Sequence, residues 1–109
     1  AQALVEEVLY DADGNPLTST LADYGAITAA ELPSFELLTS ETATDVNPLG
    51  VKGIGEAGTI GATPAVHNAV VDALAHFGVR HVDMPTTPER VWTAIQAANA
   101  AHAAHAENK

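Results

Sequence analysis

Cysteine is absent from this chain of 109 residues. Disulfide bonds, thiolate metal sites and cysteine nucleophiles are therefore excluded. Basic residues are scarce, since 4 Lys and Arg stand against 14 Asp and Glu, and the formal net charge is −10. Such a chain has too few cations to neutralise a row of phosphates, so nucleic-acid binding is disfavoured. Aromatic residues make up only 5%, although a hydrophobic content of 47% is ordinary for a globular chain.

Long apolar runs are also missing. No stretch approaches the roughly 18 consecutive apolar residues of a membrane-spanning helix, and no signal-peptide layout is present. From these absences we expect a soluble, cytoplasmic protein. The length allows one domain at most, with a modest core. Because the sequence starts at Ala1 rather than Met, we expect it to be a fragment of a longer protein.

The most unusual stretch is residues 47–61, here called the glycine-rich segment. Five of its fifteen residues are glycine, and Glu56 is its only carboxylate. Glycine costs backbone entropy on folding, so this cluster indicates positive φ angles or a close approach of the backbone to another group. The helix predicted from Pro64 would offer unpaired N–H groups to an anion. The pattern indicates a loop that brings backbone and one acid against a ligand.

Two interpretations of this segment follow from the residues alone. Residues 53–58 match the dinucleotide-binding pattern G-x-G-x-x-G, which favours a small phosphate- or nucleotide-binding module. That pattern needs a strand before it and an acid about 20 residues later, and neither is convincing here. The second interpretation is a structural or assembly domain, in which Glu56 is an incidental, solvated side chain of a flexible loop.

Hydrophobic periodicity predicts two main helices. Residues 64–77 carry an apolar stripe at helical spacing, with Thr63 as the cap and Gly78 just past the end. The stripe consists of Val66, Ala69, Val70, Ala73, Leu74 and Phe77. A second helix is predicted from Thr86 or Thr87 to about Asn99. Residues 101–109 have little to bury and are predicted to form a frayed tail, so the folded portion is residues 1–100.

Short alternating stretches predict a small sheet. Residues 6–11 and 17–20 are predicted strands joined by an Asp13-Gly14 turn. Residues 35–42 and 79–83 are two further predicted strands. The predicted fold class is α+β, with a small mixed or antiparallel sheet packed by the two main helices. All five histidines are interpreted as structural or solvent-facing, because the pair His102 and His105 has no third metal ligand nearby.

The glycine-rich segment also resembles the end of the molybdenum-binding large subunit of the molybdenum hydroxylases. This family includes xanthine dehydrogenase, aldehyde oxidase and the carbon monoxide dehydrogenase large chain. The most specific match is Gly53-Ile54-Gly55-Glu56, and the match continues through residues 64–74. The resemblance covers residues 1–98 and is nearest in style to the carbon monoxide dehydrogenase branch. Its other matching stretches are Tyr10-Asp11, Asp23-Tyr24, Leu32-Pro33 and residues 84–92.

The resemblance implies the C-terminal portion of a larger molybdopterin-binding domain and a role for Glu56. In the family, the matching glutamate is the base that takes a proton from a hydroxyl on molybdenum. Gly53, Gly55 and Gly58 would let the backbone approach the cofactor, and Ala57 would lie beside it. A glutamate in a dry pocket is a better base, because burial disfavours the charged form.

The resemblance further implies molybdopterin cytosine dinucleotide in the intact enzyme, with FAD and 2Fe–2S clusters on partner subunits. In the carbon monoxide branch copper joins the molybdenum, but a copper-binding cysteine loop cannot lie in a chain without cysteine. The other cofactor-contacting loops belong to the rest of the large subunit. The chain alone is therefore expected to hold no cofactor and to be inactive. Its substrate, whether CO, an aldehyde, a purine or another N-heterocycle, depends on pocket walls outside this sequence.

Overall fold

The computed structural model describes the backbone of residues 1–107 and the side-chain environments up to residue 105. Two α-helices dominate it: α1 spans Ala57–Ala73 and α2 spans Pro88–Glu107. Short 3-10 helices cover Ala29–Glu31 and Ala75–Phe77. Neither of the long helices is apolar enough to span a membrane over the part of the chain described.

Helix α1 begins at Ala57, so the predicted start at Pro64 is wrong. Gly58 and Gly61 are therefore helical, and Pro64 lies inside the helix. Glycine is a poor helix former, and proline has no N–H to donate to the preceding turn. Because of these residues, the first two turns of α1 lack the sequence pattern of a helix. The α-helix ends at Ala73 rather than at the predicted residue 77, and a 3-10 turn, Ala75–Phe77, continues the chain. The predicted glycine cap is present, because Gly78 follows that turn with φ +86°, in the left-handed conformation.

The predicted sheet does not form within residues 1–107. An isolated antiparallel bridge joins Tyr10 and Pro16, and Leu17 donates its N–H to the carbonyl of Leu9 at 2.8 Å. The turn between them contains Gly14 with φ +84°, so the turn is correctly predicted. The strands are not: residues 6–11, 17–20, 35–42 and 79–83 form no ladder. A strand needs hydrogen bonds to a neighbour, and a lone hairpin is marginal in water.

The core lies in the C-terminal half. Leu74, Val79 and Val82 are its buried centre, and partly buried apolar residues of both helices pack on it: Val70, Phe77, Val91, Ala94, Ile95 and Ala98. Val66, predicted as part of the stripe, is 37% exposed. The apolar stripe therefore contributes to the core only from Val70 onwards, where residues 79–82 fold back over α1.

The N-terminal segment is attached to the start of α2. The carbonyl of Ala3 accepts two hydrogen bonds from the buried Thr86, from its N–H at 2.7 Å and from its Oγ1 at 2.8 Å. Arg90 forms an ion pair with Glu7, and its Nη1 donates to the Pro85 carbonyl at 2.9 Å. These contacts link two parts of the chain that are more than 80 residues apart.

Helix α2 continues to Glu107, beyond its predicted end at Asn99. The continuation is rich in alanine, the best helix former, so it needs little burial to remain helical. The prediction that residues 101–109 form a frayed tail stays a prediction, and its last two residues lie outside the described part of the chain.

Candidate active site around Glu56

Glu56 is the residue that immediately precedes helix α1. Its backbone has φ −103° and ψ −5°, and its side chain forms no capping hydrogen bond. The carboxylate has no ion-pair partner within residues 1–107, and the residue is exposed. A negative charge is favourable at the positive end of a helix. Glu56 is thus placed by the helix terminus rather than held by a partner in this chain.

The chain enters this site through a loop organised by Asn47. The Oδ1 of Asn47 accepts from the N–H groups of Leu49 at 3.1 Å and Val51 at 3.2 Å, while its Nδ2 donates to the Val51 carbonyl at 2.9 Å. Gly50 has φ +65° and donates its N–H to the Asn47 carbonyl. Asn-Pro is a sequence signal for such side-chain-to-backbone turns.

The glycines around Glu56 are not in strained conformations. Gly53, Gly55 and Gly58 lack positive φ angles, which occur at Gly14, Gly50 and Gly78. A Cβ atom built on any of the three would meet no heavy atom within 4 Å. Of the two explanations for the glycine cluster, positive φ angles are therefore excluded at these three positions. A close approach remains, and it would have to be to a group outside residues 1–107.

Two backbone donors lie next to Glu56 without an acceptor. The N–H of Ala57 donates to the Ile54 carbonyl at 3.1 Å, but those of Gly58 and Thr59 have no acceptor within residues 1–107. Unpaired N–H groups in the first turn of a helix, together with its partial positive charge, suit an anionic group.

These residues fit one edge of an anionic cofactor, but they cannot enclose it. The donors available in the first turn of α1 are the N–H groups of Gly58 and Thr59, and those of Gly55 and Glu56 also have no acceptor within residues 1–107. The nearby cation, Lys52, donates its Nζ to Thr42 Oγ1 at 2.9 Å. Every residue from 51 to 62 is exposed, so the opposite wall of the site would come from other polypeptide. The arrangement offers a proton acceptor, backbone donors and open space at Gly53 and Gly55.

A separate groove of about 470 Å³ lies at the N-terminal end of α2 and contains no residue of the glycine-rich segment. Its polar lining includes the Glu7–Arg90 pair and His81, whose Nε2 lies 2.9 Å from Asp83 Oδ1. Within the described residues, no group of three or more His, Asp or Glu side chains could hold a metal ion. His67 has a buried Nδ1 without a hydrogen-bond partner, so it is not simply solvent-facing.

Known proteins match this chain over most of its length, although no protein-family model does. The carbon monoxide dehydrogenase large chain of Hydrogenophaga pseudoflava is 43% identical over 101 residues, which cover 93% of this chain and 13% of that protein. The 6-hydroxypseudooxynicotine dehydrogenase complex subunit gamma of Paenarthrobacter nicotinovorans is 41% identical, over 91% of this chain and 12% of that subunit.

Solved structures show the same relationship. The crystal structure of the Cu,Mo-CO dehydrogenase in its carbon monoxide reduced state superposes with a TM-score of 0.81 and 34% identity, over 89% of this chain and 12% of that chain. The chain therefore spans about an eighth of the length of the proteins it matches. With sequence and fold in agreement, the chain belongs to the carbon monoxide dehydrogenase and xanthine dehydrogenase family of oxidoreductase large subunits.

Proposed function

We propose that this chain supplies the general base, Glu56, of a molybdenum hydroxylase of the carbon monoxide dehydrogenase-like or aldehyde/xanthine oxidase-like type. The observation that carries the proposal is a lone carboxylate at the start of α1, with no partner in residues 1–107 and with open space beside its flanking glycines. A glutamate with these surroundings is free to face a group that the rest of a large subunit brings to it. Membership of the family supports the same role.

Molybdopterin cytosine dinucleotide, held against the first turn of α1 by the rest of the large subunit, would supply the oxygen-transfer and electron-accepting chemistry of the molybdenum. Within this chain, a carboxylate oxygen of Glu56 accepts the proton released in that step. The N–H groups of Gly58 and Thr59 bind an anionic edge of the cofactor. Gly53 and Gly55 leave room for it because neither carries a Cβ.

Glu56 acts as an efficient base only where water is excluded, because desolvation strengthens its proton affinity. In this chain the whole of residues 51–62 is exposed. The covering walls therefore belong to the remainder of the large subunit, and we expect the isolated chain to bind no molybdopterin and to catalyse nothing. Molybdenum found by elemental analysis of the purified chain would contradict this.

The other components of the enzyme belong to further polypeptides in this proposal. FAD and 2Fe–2S clusters on partner subunits would supply the onward electron-transfer chemistry, and one relative is named subunit gamma of a dehydrogenase complex. One solved relative is named a Cu,Mo enzyme. If copper takes part here as well, a cysteine ligand for it lies outside this chain, which has none.

The substitution Glu56→Gln in the intact large subunit that carries this segment tests the proposal. It removes the proton acceptor while keeping the shape and the hydrogen-bonding capacity of the side chain. We expect kcat to fall by about 10²–10⁴-fold, the range typical of general-base catalysis, with the molybdenum content unchanged. Glu89→Gln is the matched control, because Glu89 is exposed and lies outside both the glycine-rich segment and residues 33–41. If both variants turn over at the wild-type rate, Glu56 is not the base.

A further inference from the structure

Residues 33–41, here called the unpaired segment, make no hydrogen bond to any part of residues 1–107. They lie within a continuous exposed stretch, residues 28–43. Their apolar side chains are also left in water, since Leu37 and Leu38 are each 88% exposed and Phe35 is 67% exposed. Contiguous apolar surface of this kind marks an interaction site in a soluble protein.

The surface area of the whole chain shows how much is left uncovered. Its accessible surface is 8862 Å², whereas a folded monomer of this mass exposes about 5,700 Å². The excess of about 3,200 Å² is surface of this chain alone, whereas obligate interfaces bury roughly 2,000–5,000 Å² or more summed over both partners. The missing contacts are therefore on the scale of a permanent association rather than a transient one.

We infer that the unpaired segment is a β-strand that joins a sheet supplied by the remainder of the large subunit. Phe35, Leu37 and Thr39 alternate with Glu36, Leu38 and Ser40, the spacing of a strand whose two faces meet different surroundings. Strand addition through main-chain hydrogen bonds needs an edge whose backbone groups are unused. The eight residues from Ser34 to Glu41 meet that requirement, whereas Pro33 has only a carbonyl to offer.

The comparison with a solved relative indicates the occupant. The Cu,Mo-CO dehydrogenase chain superposes on 89% of this chain with a TM-score of 0.81. The matched part is only 12% of the solved polypeptide. The open shape is thus kept inside a much longer chain, and the rest of that polypeptide is available to cover it. The inference rests on the proposed place of this chain in a large subunit, not on the chemistry of Glu56.

Amide hydrogen exchange tests the pairing directly. In the isolated chain we expect the amides of residues 33–41 to exchange at the rate of an unstructured peptide. In the intact large subunit that carries this segment we expect at least a 100-fold slowing. Equal rates in both proteins would overturn the inference. Protection in the isolated chain together with a dimeric mass by light scattering would also overturn it, because the occupant would then be a second copy.

Proline substitutions separate backbone pairing from side-chain packing. N–H groups of successive residues point to opposite edges of a strand, so Leu37→Pro and Leu38→Pro each remove a donor from a different edge. We expect at least one of them to lower the folded fraction of the intact large subunit at least tenfold. Leu37→Val and Leu38→Val keep the donors and serve as controls at the same positions.

The same four variants show whether the effect comes from pairing. Because the unpaired segment has no hydrogen-bond partner within residues 1–107, the far-ultraviolet circular dichroism of the isolated chain should be unchanged in all four. If both proline variants leave the folded fraction of the large subunit at the wild-type level, strand addition is refuted. If Glu56→Gln loses turnover and residues 33–41 are protected in the intact large subunit, both proposals are supported, each by its own measurement. If Glu56→Gln loses turnover but residues 33–41 exchange freely, only the strand proposal fails.

Discussion

At the scale of single residues, two glycines of this chain meet opposite requirements. Gly78 has φ +86°, and a Cβ there would lie 3.2 Å from His102 Nε2. Gly61 lies inside α1, and a Cβ on it would meet nothing within 4 Å. The first position needs glycine for the conformation of the turn, whereas the second carries glycine at a cost in helix stability.

Exchanging each glycine for alanine should therefore shift stability in opposite directions. Gly78→Ala forces a left-handed conformation on a residue with a Cβ, and we expect a loss of about 1–2 kcal/mol. Gly61→Ala improves helix propensity and should add up to about 1 kcal/mol. Urea unfolding followed by circular dichroism measures both changes. Midpoints that move in the same direction would show that the helix or the turn is wrongly placed.

Asp11 organises the turn near the N-terminus. Its carboxylate accepts from Asn15 Nδ2 at 2.9 Å, from the Asn15 N–H at 2.8 Å and from the Asp13 N–H at 2.9 Å. These hydrogen bonds, with that of the Asn15 side chain the largest cause, lower the pKa of Asp11. The negative form is therefore the one that the turn stabilises.

The turn should accordingly weaken at acid pH. Because the pKa of Asp11 is lower in the folded turn than its usual value of about 3.9, the stabilisation is present above that value. It is lost as the pH falls through the lower pKa of the folded turn. A nuclear magnetic resonance titration of the Asp11 side chain measures the midpoint. Asn15→Ala removes the largest cause and should raise that midpoint, and an unchanged midpoint would contradict the assignment.

At the scale of the element, helix α1 carries a defect in its interior. Pro64 is the eighth of its seventeen residues, and it has no N–H to donate to the Ile60 carbonyl. The same residue type at Pro88 is the first residue of α2, where a missing N–H costs nothing. Pro64 therefore removes a hydrogen bond from its helix, whereas Pro88 removes none.

Pro64→Ala should stabilise α1, because it restores one hydrogen bond and removes a steric conflict with the preceding turn. We expect a gain of about 1–3 kcal/mol, limited by the cost of proline in a helix interior. Thermal unfolding by circular dichroism provides the measurement, with Pro88→Ala as the control that should change stability by less than about 1 kcal/mol. A destabilised Pro64→Ala variant would mean that α1 begins near residue 64.

At the scale of the whole molecule, the described chain is open rather than compact. Its radius of gyration is 19.7 Å and its principal extents are 67 × 42 × 28 Å, whereas a compact domain of this length has a radius of gyration of about 13 Å. The small core around Leu74 and Val82 holds the helices, while residues 28–43 remain outside it. Such a shape is suited to a piece that becomes part of a larger globule.

Small-angle X-ray scattering should recover this open shape in solution. We expect a radius of gyration near 19.7 Å for the isolated chain, since the unpaired segment is not packed against the core within residues 1–107. The same chain in concentrated urea should approach about 33 Å, the size of an unfolded polymer of this length. A radius of gyration near 13 Å without urea would show that the unpaired segment packs onto the helices of this chain.

The amino-acid sequence by itself determined the features that depend on neighbours along the chain. The turn at Gly14, the left-handed end at Gly78, the two helices and the family were all predictable, because turn chemistry, helical spacing and a short motif are local properties. The burial of Leu74 followed from the same periodicity. The position of Glu56 beside a helix was predicted, but the point where that helix begins was not.

Only the tertiary structure decided the features that depend on partners. Residues 35–42 have the pattern of a strand, but a strand forms only where another strand accepts its hydrogen bonds, and residues 1–107 contain none for it. Val66 fits the apolar stripe, yet it is 37% exposed, and the first residue of α1 that packs on the core is Val70. Asn47 holds its loop through bonds to residues 49–51 that periodicity does not reveal. Strand pairing and burial depend on contacts in three dimensions, so the spacing of residues along the sequence could not determine them.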